Sequence, residues 1–230
     1  MSKVFYVCSY GGSGSNMLCS ALNKYGETKH IHSRNPPDSL EYIGKEKGGN
    51  TYMEWFNGIK IPENELHKYN VIFIYKNPIQ AIYSRFKNLW HLKHIQSPNC
   101  TLEEVIEQNK DLYEIEDFYN NYTTFNKNRN YKIYCIKYEE IFDKQDDLSR
   151  LFNIGHLNLE KKESKRNYDS EEVDILKLIY ENLMERQYNN NFIMVNNNQL
   201  VISNNIPIKN LSIKTHISNK KHFLKNLNFV

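Results

Sequence analysis

The chain has few of the residues that cross-link small proteins. Its four cysteines are widely spaced and form no Cys-x-x-Cys pair, which argues against a cysteine zinc site and against a disulfide framework. Cys8 and Cys135 stand in apolar runs, so we expect buried free thiols and a reducing compartment. With 230 residues and 40% hydrophobic content, the chain is long enough to fold around a core without disulfides or metal.

Long apolar runs are also missing. The first run, residues 4–8, is too short for the core of a signal peptide or for a membrane span, and no later run approaches membrane length. We therefore expect a soluble, cytoplasmic protein. Its net charge of +3 is mild, which permits an anionic ligand but does not indicate a nucleic-acid partner.

Apolar runs typical of strands alternate with segments of helical periodicity. This order predicts an α/β domain of three layers, with a mostly parallel central sheet and helices on both faces. We assign residues 1–190 to this domain and residues 191–230 to an Asn-rich, weakly basic extension, in which 192–195 and 200–203 suit a short hairpin. The expected elements are strands at 4–8, 29–32, 71–75 and 131–137, a helix ended by Gly26, a helix capped by Asn77, a helix from Thr101 to about Phe125, and a long helix capped by Ser170.

A glycine-rich loop separates the first strand from the first helix. Such a loop presents backbone N–H groups and the helix dipole to an anion, so it predicts a phosphate cradle, although a tight turn without a ligand has the same sequence. A Walker A loop would need lysine after the last glycine, and a Rossmann fingerprint would need glycine where Met17 stands. The candidate binding residues are Gly11, Gly12, Ser13, Gly14, Ser15 and Asn16.

Three motifs together resemble the sulfotransferase family. Residues 71–86 are similar to its 3′-phosphate motif, with Lys76 at the arginine position and Ser84 at the serine position. Residues 13–16 are similar to its 5′-phosphosulfate loop, and Tyr138 opens an element like the family's Tyr-Glu-Asp/Glu. The motifs stand in the family's order over residues 3–143, and a basic stretch containing Arg166 is a looser match.

The resemblance implies a P-loop-NTPase-like sulfotransferase fold. It implies 3′-phosphoadenosine 5′-phosphosulfate (PAPS) as donor, 3′,5′-ADP as product, a hydroxyl or amine acceptor, and no metal. Lys76, Ser84 and Arg166 would then contact the nucleotide phosphates, and Met17 would occupy the position that packs on adenine. Tyr138 would lie in the same nucleotide site.

One departure from the family concerns catalysis. The family carries lysine or arginine two residues before the loop's core glycine, and Gly12 stands there. Loss of such a donor is expected to lower the rate about 10²–10³-fold, as the loss of one oxyanion-hole donor does in other enzymes. Arg34, Lys60 and Arg166 are the candidate replacements.

The candidate general base is His32. It lies near the end of the expected second strand, with His30 on the same face, and imidazole suits proton abstraction. Two ordinary polar residues at a strand end are an equally good interpretation. His91 and His94 have no spacing that we can assign to a function.

Four functions stay open on the sequence. They are a sulfotransferase, a non-catalytic nucleotide-binding protein on the same fold, a kinase with another loop type, and a nucleic-acid binder that uses the basic tail. The acceptor pocket is expected between residues 35 and 69, with Trp55 and Phe56, and in the segment 90–99.

Overall fold

The computed structural model describes residues 3–43, 58–162 and 166–196. Trp55, Phe56, the second half of the expected hairpin and the basic tail lie outside the described residues. Within the described ranges, no helix combines the length and the apolar character needed to cross a membrane.

Five strands form one mixed sheet in the order β2-β1-β3-β4-β5. The first four strands are parallel to their neighbours, and β5 runs antiparallel to β4. The prediction of an α/β class with a mostly parallel sheet is therefore confirmed. The strands are β1 (Lys3–Cys8), β2 (Gly26–Ile31), β3 (Tyr69–Tyr75), β4 (Ile133–Lys137) and β5 (Ile193–Asn196).

Helices cover both faces of the sheet. Side chains of β3 alternate between two buried clusters, with Phe73 in one cluster and Ile72 in the other. Helices α1 and α6 pack on the face of Ile72, and the remaining helices pack on the face of Phe73. The helices are α1 (Ser15–Leu22), α2 (Pro78–Ala81), α3 (Leu89–His94), α4 (Leu102–Gln108), α5 (Ile115–Thr123), α6 (Gln145–Phe152), α7 (Ser170–Ile179) and α8 (Glu181–Asn189).

Gly26 has a different role from the one expected. Helix α1 ends at Leu22 and Gly26 opens β2, so Gly26 does not cap the helix. A Cβ atom at Gly26 would lie 2.2 Å from the backbone oxygen of Lys3. Glycine is therefore needed there because β1 and β2 approach closely at their first pair of residues.

Two expected helices are each divided in two. Helix α4 ends at Gln108, because its C-cap Asn109 has a left-handed backbone, and α5 begins at Ile115. The last helix breaks at Tyr180, and its N-cap is Asp169 instead of Ser170. Local periodicity continues across both breaks, which is why the sequence indicates single helices.

Strand β5 extends the sheet beyond the expected domain boundary. It pairs with β4, so Asn196, past residue 190, still belongs to the sheet. The Asn196 side chain donates to the backbone oxygens of Tyr122 and Thr124, which joins the strand to α5.

Candidate functional site

The glycine loop lies where the carboxyl ends of the parallel strands meet, the usual ligand position in open α/β sheets. It leads from β1 into α1, and Gly11, Gly12 and Gly14 have φ angles of +91°, +69° and +78°. Residues with a side chain rarely adopt such angles, so the loop conformation depends on these glycines. Gly14 is the N-cap of α1, and Ser15 is its first residue.

Side chains from other elements occupy the space that loop side chains would need. A Cβ atom at Gly11 would lie 2.2 Å from Nε2 of His91. One at Gly12 would lie 3.0 Å from Cβ of Ser84, and one at Gly14 would lie 2.6 Å from Cε2 of Tyr138. The loop is thus enclosed by residues that follow β3 and β4 and by residues of α3.

A cavity of about 490 Å³ opens beside the loop. Four lysine and arginine side chains line it, and none of its described lining residues is Asp or Glu. A concave surface with cations and no carboxylates attracts anions. Its lining residues are Gly11, Gly12, Gly14, Ser15, Asn16, His30, His32, Lys76, Ser84, Arg85, Asn88, Trp90, His91, His94, Tyr138, Lys162 and Arg166.

Lys76 is the most buried cation of the cavity, with 8% of its surface exposed. Its Nζ lies 4.4 Å from the ring centroid of Tyr138, a cation–π contact. Burial lowers the pKa of Lys76, Arg166 lowers it further, and Glu139 opposes the change. Burial outweighs the nearby carboxylate, so an anionic ligand would further stabilise the charged form of this ammonium group.

The backbone of Lys76 is held by Tyr10. The Tyr10 hydroxyl accepts a hydrogen bond of 2.8 Å from the Lys76 N–H and donates one to the Lys76 carbonyl oxygen. Tyr10 directly precedes Gly11 and is fully buried. The hydroxyl therefore fixes the carboxyl end of β3 relative to the glycine loop.

We expect Tyr10→Phe to lower the free energy of unfolding by about 2 kcal/mol or more, because a buried N–H and a buried C=O each lose a partner. Urea denaturation measures this difference. Tyr25→Phe is the matched control, since Tyr25 donates one exposed hydrogen bond, to the oxygen of His156, and should cost less than about 1 kcal/mol. Equal costs in the two variants would contradict the role of Tyr10.

Ser84 and Arg166 meet on one side of the cavity. Nη2 of Arg166 donates to Oγ of Ser84 at 3.0 Å, although the two residues are 82 positions apart. Ser84 and Arg85 belong to a π-helical turn, Ile82–Phe86, that continues α2. Such turns often occur at functional sites. Of this turn, Ser84 and Arg85 line the cavity.

Four histidines also line the cavity. The ring centroids of His30 and His32 are 4.2 Å apart, and those of His32 and His91 are 6.0 Å apart. Nε2 of His30 lies 2.7 Å from Oγ of Ser15, which ties the cluster to the first turn of α1. Burial lowers the pKa of His30 to about 3 and those of His32 and His91 to about 4. Neighbouring histidines add to each shift, and Arg85 adds to those of His32 and His91.

The tautomer of His32 follows from its contact with Ser9, the residue after β1. Its Nδ1 lies 3.1 Å from the backbone oxygen of Ser9, and a carbonyl oxygen can only accept a hydrogen bond. Nδ1 therefore carries the hydrogen, and in the neutral ring Nε2 has the lone pair. A neutral imidazole in this state can accept a proton.

Most of the residues expected from the sequence lie together. His32, Lys76, Ser84, Tyr138 and Arg166 line the cavity with five of the six loop residues. Ser13 does not, because its hydroxyl donates to the Gly11 oxygen at 3.1 Å and its side chain is buried. Met17 packs against the core beneath α1 and is not among the lining residues.

Two of the three candidate replacements for the loop cation do not line the cavity. The Arg34 guanidinium donates to the backbone oxygens of Gln96, Tyr113 and Glu114 and forms an ion pair with the Glu114 carboxylate. Lys60 belongs to a β-bridge with Glu41. Arg166 is the candidate that reaches the cavity.

Sequence reasoning missed several residues of the site. Arg85 and Asn88 line the cavity and were assigned no role there. His91 and His94 also line it, but only their segment was expected at a pocket, with no role for either histidine. The expectation that the segment 90–99 shapes a pocket agrees with the position of Trp90. The turn that brings α3 onto the loop is a tertiary feature, which local sequence does not encode.

Neither a group of metal ligands nor a similar protein points to a further role for the cavity. In the ranges that the structure describes, no group of three or more His, Cys, Asp or Glu side chains is arranged to hold a metal ion. Comparisons with protein-family models, with curated proteins and with solved structures found no match to this chain.

Proposed function

We propose that this protein is a sulfotransferase-like enzyme that transfers a sulfuryl group from PAPS to a hydroxyl or amine acceptor. The observation that carries the proposal is the single cavity that joins the glycine loop to Lys76, Ser84 and Arg166 and has no described carboxylate in its lining. The P-loop-like sulfotransferase fold and 3′,5′-ADP as product belong to the same proposal.

The two ends of the donor fit two parts of the cavity. The loop offers backbone N–H groups at the start of α1 to the 5′-phosphosulfate. Lys76, Ser84 and Arg166 form a second group of donors for the 3′-phosphate, where charge-assisted hydrogen bonds are the strongest kind. An ATP-type ligand has no 3′-phosphate and would leave this second group unused.

The transfer needs positioning and one proton acceptor. The acceptor oxygen or nitrogen bonds to sulfur while the bond between sulfur and the bridging phosphate oxygen breaks. The electron pair of the broken bond stays on that oxygen, which becomes part of 3′,5′-ADP. Nε2 of His32 takes the proton of the acceptor.

A non-catalytic nucleotide-binding protein is the second candidate. Gly12 favours it, because the loop itself supplies no cation to the bridging oxygen. The two candidates share the same ligand and differ in turnover, so release of sulfate from PAPS separates them.

We expect Lys76→Ala to weaken binding of 3′,5′-ADP about 10- to 100-fold, since a hydrogen bond to a charged group contributes about 1.5–3 kcal/mol. Binding of 5′-AMP, which has no 3′-phosphate, should change less than about threefold by the same estimate. Titration calorimetry with both nucleotides measures the difference.

Lys93→Ala is the matched control for charge. Lys93 is exposed on α3 and does not line the cavity, so both nucleotides should bind this variant as they bind the wild type. An equal loss of 5′-AMP and 3′,5′-ADP in Lys76→Ala would contradict a 3′-phosphate contact at Lys76.

A further inference from the structure

The imidazole of His91 fills the position of a missing loop side chain. It lies so close to Gly11 that a Cβ atom there would be 2.2 Å from Nε2 and 2.4 Å from Cε1. Nε2 also lies 3.4 Å from the backbone oxygen of Tyr10. Because a carbonyl oxygen only accepts, Nε2 carries the hydrogen and is a donor at the edge of the loop.

Position 12 has no room for a lysine or arginine side chain that could supply the cation. Gly12 has a φ of +69°, and a Cβ atom there would lie 3.0 Å from Cβ of Ser84 and 3.2 Å from Cα of Ala81. Arg166 reaches this side of the loop, where it is bonded to Ser84. The opposite side of the loop, next to Gly11, is covered by His91.

We propose that His91 is a catalytic residue of the proposed reaction. Its Nε2–H, which makes only a long hydrogen bond of 3.4 Å to the Tyr10 oxygen, is donated instead to the bridging oxygen as the sulfur–oxygen bond breaks. The inference rests on the proposed function and adds to it the group that replaces the family's loop cation. His32 and His91 thus have opposite roles, because Nε2 of His32 accepts a proton and Nε2 of His91 donates a hydrogen bond.

The step conserves protons and electrons. The electron pair of the breaking bond moves onto the bridging oxygen, and the Nε2–H of His91 stabilises that negative charge. The acceptor proton goes to His32, so His91 ends the step with the hydrogen it had. A neutral imidazole can polarise an oxygen in this way, as neutral histidine does in triosephosphate isomerase.

The surroundings keep His91 neutral in the empty site. Burial lowers its pKa, and His32, Arg85 and His94 lower it further, while the Tyr10 oxygen acts in the opposite direction. The ring of Phe86 packs edge-on, 5.7 Å away.

The test compares three variants by hydrolysis of PAPS in water, which needs no knowledge of the acceptor. His91→Leu removes the donor but keeps an apolar side chain of similar bulk, and His91→Gln restores an N–H. His156→Leu is the control, since His156 is exposed, pairs with Asp146 and does not line the cavity. Affinity for 3′,5′-ADP is measured in parallel for each variant.

We expect His91→Leu to lower kcat for sulfate release about 10²–10³-fold, as loss of one oxyanion donor does. Its affinity for 3′,5′-ADP should change less than about tenfold, because one neutral hydrogen bond contributes about 1 kcal/mol. His91→Gln should recover part of the rate, and His156→Leu should stay within about threefold of the wild type on the same scale.

The following results would overturn the inference, and they can be told apart. A fall in kcat no larger than that of His156→Leu, or a loss of affinity that matches the loss of rate, removes the catalytic role of His91. Wild-type protein that binds 3′,5′-ADP but releases sulfate no faster than buffer also overturns it and leaves the nucleotide site standing. Failure of the wild type to bind 3′,5′-ADP overturns the proposed function and this inference together.

Discussion

Replacing His32 by alanine is expected to lower the rate constant of sulfuryl transfer by about 10²–10⁴, the usual contribution of a general base. Its Nδ1 is fixed against the Ser9 oxygen, so Nε2 has the lone pair of the neutral ring, and His32 lines the cavity. Binding of 3′,5′-ADP should be nearly unchanged, because the base acts on the acceptor and not on the nucleotide. The measurement is single-turnover transfer with the acceptor in excess.

The pH dependence of kcat/KM and kcat tests the same assignment of His32 as the general base. Burial lowers the pKa of His32 to about 4, so the neutral, proton-accepting form is already present well below pH 6.5. We therefore expect kcat/KM, which reports the free enzyme, to fall only as the pH drops through about 4. The acid limb of kcat should lie at higher pH, since the bound polyanion raises the pKa.

His156→Ala is the control for His32→Ala. His156 is exposed and pairs with Asp146 on α6, and it does not line the cavity. This variant should keep the wild-type rate and pH profile. A similar rate for both alanine variants, or an acid limb of kcat/KM that survives unchanged in His32→Ala, would remove His32 as the base.

Replacing Gly14 by alanine is expected to abolish nucleotide binding within the measurable range and to lower the melting temperature. A side chain at positive φ costs about 1–2 kcal/mol, and here φ is +78°. The added Cβ would also lie 2.6 Å from the ring of Tyr138. Either the loop or the ring must move, and Lys76 rests on the same ring.

The variant Gly58→Ala separates the cost of a side chain at positive φ from the cost of the contact with Tyr138. Gly58 has almost the same φ, +75°, but a Cβ atom there meets no described atom within 4 Å. It should therefore lose about 1–2 kcal/mol of unfolding free energy and no affinity for 3′,5′-ADP. If Gly14→Ala behaves like Gly58→Ala in both calorimetry and thermal unfolding, the contact between the loop and Tyr138 is unimportant for binding.

The sequence indicated the part of the site that local patterns encode. Three glycines between a strand and a helix specify a loop, and the fixed interval from Lys76 to Ser84 places both after one strand. These residues do line one cavity. The π-helical turn that carries Ser84 was not expected, because its backbone has the same residue types as an ordinary helix.

Residues that reach the loop from elsewhere were harder to foresee. His91 has no motif of its own, and its contact with Gly11 depends on how α3 packs across the Ile82–Phe86 turn. Conversely, Ser13 stands inside the loop motif, but its side chain turns toward the Gly11 oxygen. A motif gives the order of residues along the chain, whereas the direction of each side chain depends on tertiary packing.

The most direct test of the account is titration calorimetry of the wild-type protein with 3′,5′-ADP, ADP and ATP. The cation group at Lys76 and Arg166 predicts the tightest binding for 3′,5′-ADP, by about tenfold or more, since one further charge-assisted contact contributes about 1.5–3 kcal/mol. ATP that binds as tightly as 3′,5′-ADP would contradict the 3′-phosphate site and with it the proposed function.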